Sequence, residues 1–161
     1  MFTVFAVFLL WRHYQNEFVY PVKLYKKVHK RDVEECMLQE QISKEACTEY
    51  HALYDVNDFK KGYRKVLAGH NVQPETMQIS GAIRNYKGFF KLDKYHYERC
   101  LKILEKGAYK TTQQPESFCS CKIENLNEMA TRLDPTERPN ATNIEAFLQK
   151  AYDDARAACQ N

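Results

Sequence analysis

Apolar and ring-bearing residues recur through the middle of the chain at helical spacing. They stand at Val33, Cys36, Met37, Ala46, Cys47, Tyr50, Leu53, Tyr54, Phe59, Tyr63, Val66 and Leu67. This stripe predicts an amphipathic helix over 33–67 that buries one face. Ile42-Ser43 offers a place for a break, with Ser43 as the N-cap. Residues 68–74 contain Gly69, Asn71 and Pro74 and predict a turn. A second helix is expected over 75–105, with Ile79, Ile83, Tyr86, Phe90, Tyr97, Leu101 and Leu104 on its apolar side and Gly107 ending it. Residues 108–119, with Thr111-Thr112 and Pro115, read as a loop.

Ile123, Leu126, Ala130 and Leu133 then mark a short helix that Asp134-Pro135 stops. Arg138 precedes Pro139 and is expected to be extended. The last helix has a capping box in Thr142 and Glu145, and its buried face is Ile144, Phe147, Leu148, Ala151, Tyr152 and Ala155, ending near Cys159. No strand pattern competes. The expected fold is all-α: a disulfide-stapled antiparallel helical hairpin, a two-helix C-terminal extension and a short apolar N-terminal segment. The chain divides accordingly into 1–31, an apolar anchor or plug with a basic linker; 32–107, the hairpin; and 108–161, a loop and two helices.

The first eleven residues carry no charge, and Arg12 follows them directly. No basic residue precedes this run, and Arg12-His13-Tyr14-Gln15-Asn16 offers no small-x-small cleavage site. The segment is therefore expected to be retained. As a helix it is about 16 Å long, half a bilayer core, which suits a shallow anchor or a plug into a partner.

Composition changes this picture in two ways. Eleven Tyr and nine Phe stand against one Trp, and tyrosine is favoured where a ring is half buried at a core edge or an interface. Net charge is only +3, too small to imply nucleic acid, but it is unevenly placed. Arg12, Lys23, Lys26, Lys27, Lys30 and Arg31 face Glu17 alone between positions 12 and 31. A basic stretch beside an apolar terminus suits anionic lipid or acidic partner subunits.

Six cysteines, Cys36, Cys47, Cys100, Cys119, Cys121 and Cys159, point to disulfides and an oxidising compartment. Two pairings are open. If 33–67 is one unbroken helix, Cys36 and Cys47 are about 16 Å apart along its axis and cannot bond. Cys47 then meets Cys100 across the hairpin, Cys36 reaches Cys119 or Cys121, and Cys159 takes the remaining partner. If the helix starts only at Ser43, Cys36 can fold back onto Cys47. A zinc site is the rival use: His96 and Cys100 are four apart on a helix, with Cys119 and Cys121 downstream. No phosphate loop, nucleophile elbow or metalloprotease motif is present, and His13, His29, His51, His70 and His96 are scattered. We therefore expect no catalytic residues, no metal and no cofactor. Asn140-Ala141-Thr142 is a glycosylation sequon, meaningful only in a secretory protein.

Tyr25-Lys-Lys-Val28, Val33-Glu-Glu-Cys36, Cys47 followed by Glu49-Tyr50, and Phe59-Lys-Lys-Gly-Tyr63 together resemble the PDSW-type accessory subunit of mitochondrial respiratory complex I. The resemblance covers roughly residues 20–120. It departs from the family in wider spacing from Val28 to Cys36 and from Cys36 to Cys47, and in an insertion near 71–78. It implies a helical, non-catalytic subunit on the intermembrane-space side of the inner membrane, bracing its neighbours. It also implies sequential bridges, Cys36–Cys47 and Cys100–Cys119. The expected partners are other subunits of a large membrane complex, with membrane lipid at the N-terminus. The alternative is a secreted, cysteine-rich helical binding protein.

Overall fold

The computed structural model describes residues 2–69, 86–108, 111–133, 139 and 142–160. Among the described residues every regular element is helical. Helix α1 (Phe2–Tyr14) runs through one π-helical turn, Gln15–Val19, into α2 (Tyr20–Glu40). Then come α3 (Lys44–His51), α4 (Val56–Leu67), α5 (Tyr86–Phe89), α6 (Asp93–Glu105), α7 (Pro115–Arg132) and α8 (Ile144–Ala158). The π turn has a local cause. Pro21 brings no N–H to the ladder, and the turn before it is widened, with the Tyr20 N–H donating to the Gln15 carbonyl five residues back. The helix thereby passes the proline without a break. The boundary expected at 31/32 consequently falls inside α2.

The helix expected over 33–67 is three helices. Gln41 adopts a left-handed φ of 58° and ends α2. Ser43 caps α3 as expected, its hydroxyl accepting from the Ala46 N–H at 3.2 Å. A second, unexpected break follows at 52–55, where the Asp55 carboxylate accepts from the N–H groups of Asn57 at 2.7 Å and Asp58 at 3.0 Å. These side-chain bonds satisfy amide donors that the first turn of α4 leaves without helical partners.

Ala68 and Gly69 form a turn, while the rest of the turn and the first part of the helix expected at 75–105 lie outside the described residues. The described part is α5 and α6, separated by a turn at 90–92. Gly107 ends α6 as expected: its φ is 68°, and its N–H bonds the Leu104 carbonyl while that of Ala108 reaches Ile103. This is a left-handed glycine closure.

The loop expected over 108–119 is shorter than that. Pro115 opens α7 in its first turn, where a missing N–H is harmless, so Phe118 and Cys119 are helical and fully buried. Leu133 ends α7, and the Asp134-Pro135 and Arg138 readings fall outside the described residues. The Thr142–Glu145 capping box is one residue out of register, because Asn143 occupies the N-cap of α8. The buried face of α8 is as expected, with Ile144 and Ala155 at its core.

Helices α2 and α3, α3 and α6, α6 and α7, and α7 and α8 pack in succession, and α4 lies on α2. One core gathers Val33, Ile42, Ala46, Phe89, Phe90 and Leu126. A smaller one surrounds Phe118 and the C-terminal cysteines. The α3–α6 joint is antiparallel and capped from both sides. The Glu98 carboxylate of α6 accepts from the Ser43 N–H at 2.6 Å and hydroxyl at 2.8 Å. In return, Glu49 of α3 accepts from the Tyr95 N–H at 2.9 Å in the first turn of α6. Each helix thus uses a carboxylate to satisfy the other's amino-terminal amides, which also favours negative charge. Tyr50 and Tyr95 stack between them at 4.6 Å.

Candidate docking surface and buried polar cluster

The N-terminal run is the first part of a helix that continues, through the π turn, to Glu40. That helix spans about 58 Å at 1.5 Å per residue. Val7, Phe8, Leu9, Leu10 and Trp11 are all exposed, Val7 by 65% and Leu10 by 69%. Tyr14, Phe18, Tyr20 and Leu24 continue the exposed apolar surface. Phe8 and Trp11 lie against each other, as do Tyr14 and Phe18. The body first grips the arm at the π turn, where Arg64 of α4 bonds Glu17 at 2.6 Å and Lys60 lies 5.9 Å from the Phe18 ring. Further along, the Tyr25 hydroxyl donates to the Tyr54 carbonyl at 3.0 Å, and both rings meet Phe59. Arg12, Lys23, Lys26, Lys27, Lys30 and Arg31 are all exposed. Among the described residues no helix is long and apolar enough to cross a membrane.

All six cysteines are bonded, as Cys36–Cys47, Cys100–Cys119 and Cys121–Cys159. The nested pairing Cys47–Cys100 fails because it assumed an unbroken helix over 33–67. The break after Gln41 turns α3 back on α2 and brings Cys36 and Cys47 to a Cα separation of 5.9 Å. The C-x-C of α7 has a geometric use: residues two apart on a helix point about 200° apart. Cys119 therefore faces α6 and Cys121 faces α8, and α7 is stapled on both sides. The zinc alternative is corrected by the same bonds, which consume Cys100, Cys119 and Cys121. Among the described residues no three metal-ligating side chains converge.

His96 has a different task. Its Nε2 lies 2.6 Å from the Phe89 carbonyl, which can only accept, so Nε2 carries the proton. Nδ1 then accepts from the Tyr152 hydroxyl at 2.9 Å. Burial, reinforced by the Lys122 and Arg99 charges, lowers the His96 pKa to about 4. The ring is thus a neutral, fully bonded tie between α5, α6 and α8. Lys122 of α7 is only 7% exposed, and its ammonium sits 4.8 Å above the Tyr152 ring. Burial first, and then the Arg99 and Arg156 charges, push its pKa down to about 8. Tyr152 is pushed well above the usual phenol range by burial. Arg99 reaches back to Glu40 at the end of α2, 3.2 Å away.

Sequence reasoning missed this cluster, since residues 96, 122 and 152 come from three helices with no shared spacing. The chain matches no protein-family model, no curated protein and no solved structure.

Proposed function

We propose that this chain is a non-catalytic accessory subunit of a mitochondrial inner-membrane respiratory complex, namely complex I on its intermembrane-space side, where it braces neighbouring subunits and supports assembly. The observation that carries this reading is the exposed apolar arm from Val7 to Trp11, continuous with a helix that a disulfide anchors at Cys36. An apolar surface of this extent on a chain with its own core marks an interaction site. Three disulfides suit an oxidising compartment. The exposed lysines behind the arm suit acidic neighbours or anionic headgroups. The Tyr25-to-Tyr63 motifs add the resemblance to the PDSW-type subunit.

Native purification of the tagged chain, with mass spectrometry of what accompanies it, tests the proposal. Subunits of one inner-membrane complex are expected, and deleting the chain should lower the amount of assembled complex without changing turnover per complex. A stable, soluble monomer without partners overturns it. A secreted binding protein is the second reading, favoured by the disulfides and by the exposed Thr142 of the Asn140 sequon. It requires a glycan on Asn140 and loss of residues 1–16, which an intact-mass measurement detects.

A further inference from the structure

Helices α6, α7 and α8 enclose a cavity of about 120 Å³ beside the His96–Tyr152 pair. Each helix contributes one cation to its wall: Arg99 from α6, Lys122 from α7 and Arg156 from α8. Asp153 is the one carboxylate among the described lining residues; it pairs with Arg156 at 3.0 Å. Glu40 holds Arg99 from behind without lining the cavity. Gln149 stands exposed at the rim, so the space opens to solvent. The Cys100–Cys119 and Cys121–Cys159 bonds tie α7 to α6 and to the end of α8. The cations are thereby held on a covalently braced frame.

We propose that this cavity binds a phosphate-type oxyanion, either free or as the head of a phosphomonoester, with Lys122, Arg99 and Arg156 as donors. Three cations converge on the wall against Asp153, with Glu40 holding Arg99 from behind, so the cluster keeps a net positive charge once His96 is neutral, which an anion offsets. Two guanidinium forks and an ammonium supply directional donors to several oxygens at once. The volume admits a tetrahedral ion. The charges that face Lys122 are Arg99 from α6 and Arg156 and Asp153 from α8, with the neutral His96 and Tyr152 beside them. Burial and then the neighbouring Arg99 and Arg156 charges disfavour the Lys122 ammonium, and a bound phosphate offsets both. Binding should therefore take up protons near pH 8 and weaken at higher pH, as the Lys122 ammonium discharges.

Calorimetric titration of the full-length, oxidised chain with inorganic phosphate, at ionic strength fixed with chloride, tests this, with glycerol 3-phosphate as a second arm. Saturable one-to-one binding is expected. Lys122→Met and Arg156→Gln should each weaken it at least tenfold, and Lys150→Gln, on α8 outside this cavity, should leave it unchanged. Lys122→Met removes a buried charge at similar length; should it nevertheless unfold, the half-exposed Arg156 carries the test alone. Binding of inorganic phosphate alone assigns a free ion, and binding of glycerol 3-phosphate, with or without it, assigns a phosphomonoester. No saturable binding of either, or binding that survives in a folded Lys122→Met or Arg156→Gln chain, overturns the proposal.

Discussion

Between Asp32 and Cys36, α2 buries Asp32, Val33 and Cys36 against α3 and carries a disulfide. Between Val7 and Trp11, the same continuous helix exposes five successive apolar side chains. The two regions share one backbone ladder and differ in what covers them. In the body, disulfides join α2 to α3, α6 to α7 and α7 to α8, reciprocal caps join α3 to α6, and α4 is held on the long helix by Tyr25, Phe59 and the Arg64–Glu17 pair. In the arm, the apolar residues surround the helix axis instead of forming a stripe, so no single helix of this chain could cover them. An amphipathic stripe is matched to one internal face, whereas an apolar cylinder needs a larger host.

Reduction separates the two regions most strongly. Each disulfide closes a loop, with sequence separations of 11, 19 and 38, and chain-entropy arguments give about 3 to 4 kcal/mol for each. Full reduction should collapse the near-ultraviolet circular dichroism of the body at room temperature. A reduced chain that melts within a few degrees of the oxidised one would show that the apolar cores suffice without staples.

Acid should come next. His96 has a folded-state pKa near 4 against an ordinary value of 6.5, so below pH 6.5 the unfolded chain binds a proton that the folded one refuses. Stability is then full above pH 6.5 and falls as pH drops towards 4, by about 3 kcal/mol in all. Urea titrations from pH 7 to pH 4 measure this slope. His96→Gln should lower stability at pH 7 and flatten that pH dependence; an unchanged slope would place the acid sensitivity elsewhere.

The reciprocal caps are a smaller matter. Glu98→Ala and Glu49→Ala each remove carboxylate bonds to amino-terminal amides across the α3–α6 joint, and each should cost about 1 kcal/mol. Thermal melts of both variants report it. If neither lowers Tm, the Tyr50–Tyr95 stack and core burial hold this joint unaided.

Much of the fold could be read from single residues whose chemistry acts locally. Ser43 caps a helix because its hydroxyl reaches an amide three residues on, and Gly107 ends one because it tolerates a positive φ. The all-helical class and the buried face of α8 followed from spacing alone. Asp55 carried a usable signal that was missed, a short carboxylate before a helical pattern, and so did Pro115 followed by Glu116 at the start of α7. Residue spacing alone left the disulfide pairing open, because it turned on whether Gln41 adopts a left-handed φ, whereas the resemblance implied the Cys36–Cys47 and Cys100–Cys119 bonds that the structure has. The His96–Tyr152–Lys122 cluster was less legible still, since its members meet only when α6, α7 and α8 have assembled.

The arm should matter least to stability and most to docking. Replacing Leu9 and Leu10 together by Asp changes exposed residues that support no core, so the isolated chain should keep its stability within about 0.5 kcal/mol. The decisive measurement runs this double variant on a native gel of solubilised inner membranes beside the unaltered chain, with a thermal melt of each. We expect matching melts, the unaltered chain migrating with a large complex, and the variant absent from it. A variant that joins the complex as well as the unaltered chain, or one whose melt drops by many degrees, would contradict the division between a self-sufficient body and a docking arm.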